Sequence, residues 1–476
     1  MGFRVILLHL AVAGLSFASL FNPLWGLLGY VWYSLARPDA LAYNEGQFQH
    51  SILLAICTLA GSWRSFANFR FWIGNPWVLS MILLQVTFVA SIAIAAQPGV
   101  AWDHYAGFLK YFIICLLIPM FVANEHDFRL LFLVMAFSNA LIGSRFGFFG
   151  VLHGGVYIET GLGGFISENN TLSLALNTAL PLIWFARDLV DKQWQKIGFL
   201  IGAFGTMAAI VMSHSRGGLM TLGLVLLFLV YRSRHRIMVA AGLAILILPA
   251  VLLVSTSLYD RMATLQNYEE DGSTSARMAY VDVALKVWAR YPVLGVGFGT
   301  ENWALVSEEY MSKTEKRHVV HNNFLQMAVD SGTLAFLVLC WQLFFSAWWL
   351  GRAAKRYKEL FPGQKDKLAY AYGLQCSLMA FAFGSVGASR TDYDFYYILV
   401  MTVGAFYTVH NQLLEQAREK QLAVAAAEPS EAVAVPERDA VDPFRPLPPA
   451  VPAAVAVRAP RWRNPMTPIR TRTSPR

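Results

Sequence analysis

Apolar stretches of roughly twenty residues recur along most of this chain, each long enough to cross a bilayer as a helix. They fall near residues 3–34, 48–63, 77–96, 107–124, 128–148, 170–187, 194–212, 217–232, 236–256, 323–350, 368–387 and 394–412. The first is interrupted at Asn22-Pro23 and reads as one broken crossing or two short helices. None shows the short alternation of an outer-membrane barrel strand. The pattern therefore predicts an all-α polytopic membrane protein with about 12 transmembrane helices. The opening "MGFRVILLHLAVAGLSFASLF" resembles a signal peptide, but "NPLWGLLGYVWYSL" follows at once, so an uncleaved first span is the better reading.

Composition agrees with this pattern. Of 476 residues, 56% are hydrophobic and 14% charged. Cys57, Cys115, Cys340 and Cys376 lie inside apolar runs, which argues against a disulfide framework or a zinc site. The net charge of +8 does not point to nucleic acid, because the basic residues sit in short loops and the tail. That distribution speaks for topology and contact with anionic membrane lipids.

The same residues orient the spans. "WRSFANFR", "RDLVDKQWQK", "YRSRHR" and "GRAAKRYKELFPGQKDK" are Lys/Arg-rich and belong on the cytoplasmic side. Counting crossings between them gives a consistent parity. It places 37–47, 97–106, 149–169, 213–216, 257–322 and 388–393 on the outer face, with both termini inside. Residues 1–412 then form the transmembrane domain, with 257–322 as its large periplasmic loop. Residues 413–476, rich in Ala, Pro and Arg, read as a disordered cytoplasmic tail.

Unusual polar residues gather on that outer face. "SHSRGG", residues 213–218, brings Arg216 to a very short connection, where it is either a snorkelling anchor or part of a site. Its glycines allow a tight turn or a close approach. Arg145 ends one span, and "GGFISENN" brings Glu168, Asn169 and Asn170 to the start of the next. "HVVHNN" puts His318 and His321 before another, with Asn322 or Asn323 available as a cap. "SRTDYD" adds Arg390, Asp392 and Asp394.

Within the large loop, "STSARMAYVDVALKVWARYP" predicts a helix in which Arg277, Val281, Ala284 and Trp288 share a face widened by Met278 and Leu285. Asp271, Ser273 and Thr274 are cap candidates, and Tyr291-Pro292 ends the run. A helix lying on the bilayer is one reading. Arg277, near the free amides of the helix start, suits a phosphate. The following "YPVLGVGFGTEN" superficially resembles a nucleotide loop, but no strand precedes it and no dinucleotide-fold helix follows, so a tight return to the membrane fits better. Asp392 and Asp394 form a D-x-D pair without a clear third ligand, and no metal site is predicted.

Three elements in order, "SRGG", the loop segment "R…W…YPVLGVGFG" and "HNNFLQMAVDSGTLAFLVL", resemble the O-antigen ligase and polymerase superfamily. The likeness is strongest to the O-antigen ligases of lipopolysaccharide assembly and covers roughly residues 130–350. "GGFISENN" also looks like related O-glycosylation ligases. The resemblance implies a GT-C-like glycosyltransferase with no cofactor. Such an enzyme moves a glycan from undecaprenyl pyrophosphate to a lipid A-core sugar, at the periplasmic face of the bacterial inner membrane and with inversion. Carried onto this chain, it makes Arg216 and Arg277 pyrophosphate-side residues and His321 the base. Arg145, Glu168 and Asn169 join them by location and polarity. The chemistry is compatible: arginines stabilise a leaving pyrophosphate bidentately without a metal, and an imidazole of pKa ~6.5 accepts a hydroxyl proton.

Other acceptors give other enzymes: a second lipid-linked glycan for a polymerase, a protein hydroxyl for a protein O-oligosaccharide ligase. A lipid or glycan transporter is the rival from a different class. Against it stand the absence of a visible internal repeat and charges gathered at one face rather than the midplane.

Overall fold

A computed structural model describes residues 2–42, 49–63, 72–153, 158, 160–163, 166–233, 236–237, 240–241, 244, 272–311 and 319–427. The chain divides into two units, Met1–Glu419 and Lys420–Arg476. Of the second, only the helical end up to Ala427 is described.

The interrupted first run is two helices, α1 (Phe3–Phe21) and α2 (Pro23–Ala36). Pro23 occupies the first position of α2, where its missing N–H costs nothing, and the Asn22 side chain caps Leu24 N at 3.1 Å. The two fold back on each other, with Gly26 against Ser19 and Gly29 against Leu15. A short turn α3 (Pro38–Leu41) and α4 (His50–Gly61) follow. Next come α5 (Pro76–Ala93), α6 (Pro98–Phe121) and α7 (Glu125–Leu152). A two-stranded ribbon, β1 (Thr160–Gly163) with β2 (Ile166–Glu168), departs from the expected all-α content.

The ribbon leads into α8 (Asn169–Ala186), then α9 (Gln193–Met212) and α10 (Arg216–Arg232). Small residues let α7 and α9 approach closely: Gly147 lies against the Gly205 carbonyl and Gly143 against Thr206. In the loop region are α11 (Gly272–Arg290) and α12 (Thr300–Ser307). The chain closes with α13 (Asn323–Cys340), a wider turn at Trp341–Phe345, α14 (Ser346–Leu360), α15 (Lys365–Gly384) and α16 (Asp394–Ala427).

Six helical runs among the described residues are long and apolar enough to cross a membrane: α1, α5, α6, α7, α9 and the run Asn323–Leu360, which is kinked at Gly332. The molecule is a helical, multi-pass membrane protein. The runs at 170–187, 368–387 and 394–412 fall on helices of another kind. In α8 every residue from Thr171 to Ala186 is buried, including Ser173, Asn177 and Thr178, and most of α15 and the first turns of α16 are also enclosed. Sheathed by neighbouring helices, these segments tolerate polar residues that lipid contact would penalise. At 217–232 the helix has only 17 residues, and most of 236–256 lies outside the described residues.

Two further expectations change. The last helix does not stop near 412 but continues to Ala427, because "NQLLEQAREKQLAVAAA" is built from strong helix formers. In α11, Met278 and Leu285 do not widen the buried face; they are 66% and 48% exposed. The face that packs is Val283, Ala284 and Val287, against Val296, Trp303, Val320 and Val329, so the helix is docked on protein.

Candidate active site

The site is assembled at helix starts. Asn322 caps α13, accepting from Phe324 N at 3.0 Å and Leu325 N at 3.2 Å. His321, immediately before it, is held in the left-handed region (φ 54°), a conformation that costs a side chain about 1–2 kcal/mol. The contacts that hold this strand of chain come from two sides. Asn322 N donates to Ser389 Oγ at 2.9 Å, and the Asn323 amide oxygen accepts from Arg390 N at 3.0 Å. On the other side, buried Gln326 accepts from Val320 N at 3.0 Å and donates to Asp330 Oδ1 at 2.8 Å. "HVVHNN" and "SRTDYD" are thus stitched together by backbone N–H groups that donate to side-chain oxygens of the other segment.

A cavity of about 190 Å³ opens beside His321. His104, Glu168, Asn170, Gln326, Arg390 and Asp392 share its lining. Its ends come from α6, the β2–α8 junction, the start of α13 and the loop before α16. Glu168 is fixed by the start of α8, its backbone N–H donating to Thr171 Oγ1 at 3.3 Å. His104 lies between two carboxylates, with Nδ1 3.7 Å from Glu301 and Nε2 3.8 Å from Asp392. The cavity therefore offers two imidazoles for proton transfer, carboxylates beside one of them, His104, and a guanidinium for an oxyanion.

"SHSRGG" docks on "SENN". Ser215 Oγ donates to Asn170 Oδ1 at 2.7 Å and accepts from Gly218 N at 3.2 Å, capping α10. Asn169 Nδ2 donates to the Ser213 carbonyl at 3.0 Å. Glycine is required at 218 because α10 presses onto α8 there; a Cβ would lie 1.8 Å from Ser173 Oγ. His214 between these contacts is buried and also left-handed (φ 48°). The junction is a structural clasp that ties the start of α10 to the wall of the cavity.

The glycine-rich loop has a similar role. Val296 N and Gly297 N donate to the carbonyls of Val329 and Asp330 at 2.8 and 3.1 Å. They meet α13 where Gly332 (φ 84°) breaks it, and a Cβ on Gly332 would lie 2.0 Å from the Val293 carbonyl. No nucleotide-loop geometry is involved.

The structure brings His321 and Glu168 to one cavity; Asn169 does not line it but lies between the lining residues Glu168 and Asn170, its side chain donating to the Ser213 carbonyl. Arg216, half-buried at the first position of α10, follows the Ser215 clasp directly but does not line the cavity. Arg277 is half-buried on α11, and Arg145 is exposed on α7; neither lines it. His318 and Asp271 lie outside the described residues. His104 was not foreseen: a single histidine in "AWDHYAG" has no local pattern to mark it. Among the described residues no cluster of three His, Cys, Asp or Glu side chains is arranged to hold a metal.

Arg390 and Asp392 also line a second, larger space of about 520 Å³ that contains Arg37 and Lys110. Through Ile52 and Lys110 that space adjoins an apolar groove formed by Ala55, Ile56, Leu59 and Ile113. A polar chamber beside a greasy groove suits a lipid with a charged reacting end.

These features define a membrane protein with a polar site at the ends of buried helices. Residues 197–340 match the O-antigen ligase family, and residues 3–190 match a family of unknown function (DUF5935). The chain is also similar to an O-antigen polymerase of Salmonella muenchen, 22% identical over 275 residues, covering 52% of this chain and 63% of that protein. The match thus spans less than two thirds of the relative's length. The segment 197–340 is thus similar to O-antigen ligases, and about half of the chain to an O-antigen polymerase. The family segment contains Arg216, Arg277 and His321.

Proposed function

We propose that the protein is an O-antigen ligase. It transfers a glycan from undecaprenyl pyrophosphate to a lipid A-core hydroxyl at the periplasmic face of the inner membrane. His321 takes the proton of the acceptor hydroxyl as its oxygen bonds to the anomeric carbon. The bond from that carbon to the pyrophosphate oxygen breaks, and its electron pair leaves with the pyrophosphate. Attack opposite the leaving group inverts the configuration. Arg216 and Arg277 neutralise the departing charge, with Arg390 nearest the cavity, and no metal is required in this account. Glu168 and Asn169 position the acceptor side, and Arg145 faces the donor's headgroup region. The large space at Arg37 and Lys110 receives the donor, its polyprenyl chain running into the groove at Ile56 and Leu59. The complete fold is of the GT-C type with about twelve crossings, α8, α10, α15 and α16 included.

The observation that carries the reading is His321, held in a left-handed conformation at the cavity wall inside the O-antigen ligase segment. A polymerase is the second reading, favoured by the name of the Salmonella relative. Purified protein in vesicles, given lipid-linked glycan with and without lipid A-core, separates them. A glycan joined to lipid A-core supports the ligase; lengthening of the lipid-linked glycan without lipid A-core supports the polymerase.

A further inference from the structure

A separate cavity of about 570 Å³ lies at the far end of α8 and α10. Trp184 and Phe185 near the end of α8 and Leu229 and Arg232 near the end of α10 line it, whereas Asn170 and Ser215 at their starts belong to the candidate site. At 1.5 Å per residue, helices of 18 and 17 residues put about 25 Å between the two ends. That is close to the ~30 Å hydrocarbon thickness of a bilayer. The cavity therefore sits at the opposite membrane boundary.

Its lining is strongly cationic. Arg187, Arg232, Arg236, Lys358 and Lys365 converge there, with Asp188 as the one acid among the described lining residues. The cations are seated on aromatic faces: Arg187 lies 3.9 Å from the Trp184 ring centre, Arg232 4.5 Å from Tyr372, and Arg236 5.2 Å from Tyr231. Stacking fixes the plane of a guanidinium and leaves its N–H edge to meet an oxyanion. Arg232 donates one Nη2 bond to Gln375 at 3.1 Å, while its buried Nε has no hydrogen-bond partner among the described residues. A buried guanidinium N–H without an acceptor is costly, and an arriving phosphate oxygen would supply one. On the same stretch of chain Leu227, Tyr231 and Ile237 are exposed apolar side chains (70%, 62% and 85%). Cations in a recess beside an apolar rim match a charged headgroup with acyl chains.

We propose that this cavity binds the phosphodiester headgroup of an anionic glycerophospholipid from the leaflet on that side. The seat is independent of the transfer site. Delipidated full-length protein in neutral detergent, titrated with phosphatidylglycerol and followed by native mass spectrometry, tests it. The native protein should retain phosphatidylglycerol at least tenfold more tightly than phosphatidylcholine. Arg236→Gln with Lys358→Gln, both exposed positions, should lose most of that preference without loss of folding. Arg232→Gln should lose it as well. Arg352→Gln with Lys355→Gln, which removes two surface cations outside the cavity, should keep it. Equal loss in the cavity and surface pairs would reduce the effect to general charge and overturn the proposal. So would binding of sn-glycerol 3-phosphate or inorganic phosphate as tight as that of the lipid.

Discussion

Replacing Asn322 by alanine tests how the fold holds the proposed base. The Asn322 side chain accepts from two amides at the start of α13, Phe324 N and Leu325 N. Loss of such a cap costs about 0.5–2 kcal/mol. The adjacent His321 is kept at φ 54°, which by itself costs about 1–2 kcal/mol. The two energies are of the same size, so without the cap the strained conformation is no longer over-determined. A shift of about 1–2 kcal/mol changes the population ratio by roughly 5–30-fold. Asn322→Ala should therefore reduce single-turnover transfer by about that factor while the affinity for lipid-linked donor changes little. Asn322→Ser restores a capping oxygen and should recover most of the rate. Single-turnover glycan transfer in detergent, with donor affinity measured on the same preparations, reads both quantities. Full turnover in the alanine variant, or no recovery with serine, would refute the positioning argument.

Arg216→Ala and Arg277→Ala should each cut transfer strongly in folded, membrane-inserted protein, and lysine should rescue only partly because it lacks the planar fork; unchanged rates would return both residues to the role of anchors. Gly218→Ala places a Cβ 1.8 Å from Ser173 Oγ and should destabilise the protein by about 1–3 kcal/mol, visible as a lower midpoint in thermal unfolding. Ser173→Gly in the same chain should recover part of that loss, and an unshifted midpoint in Gly218→Ala would contradict the close packing of α8 and α10. Transfer by purified protein should survive thorough chelation; loss restored by a divalent ion would assign Asp392 a metal.

The sequence made the membrane class and the polar helix starts legible, because both are local. Long apolar runs mark crossings, and "SENN", "SHSRGG" and "HNN" stand out against them. Their convergence was readable only as far as topology allows. Which of the outer residues share a cavity depends on helix packing, which periodicity does not encode. Glu168 and His321 share a cavity, whereas Arg145 is exposed on α7 and does not line it. His104 joins them because α6 happens to start beside Asp392, a tertiary fact with no trace in "AWDHYAG". The face of α11 was rotated for a related reason: Met278 and Leu285 are as apolar as Val283 and Val287, and only the position of Trp303 and Val329 decides which set is buried. Hydropathy likewise cannot separate a crossing that meets lipid from one enclosed by protein, and α8, α15 and α16 are of the enclosed kind.

The central claim is that His321 is the base of a glycosyl transfer performed in this cavity, and its most direct test compares the two histidines that line it. Single-turnover transfer from lipid-linked glycan to lipid A-core should fall by about 10²–10⁴ in His321→Ala, with donor affinity nearly intact. His104→Ala, whose ring lies between Glu301 and Asp392, should lose far less. Normal turnover in His321→Ala, or a defect lying wholly in donor affinity, would contradict the account, and a collapse confined to His104→Ala would move the base to α6.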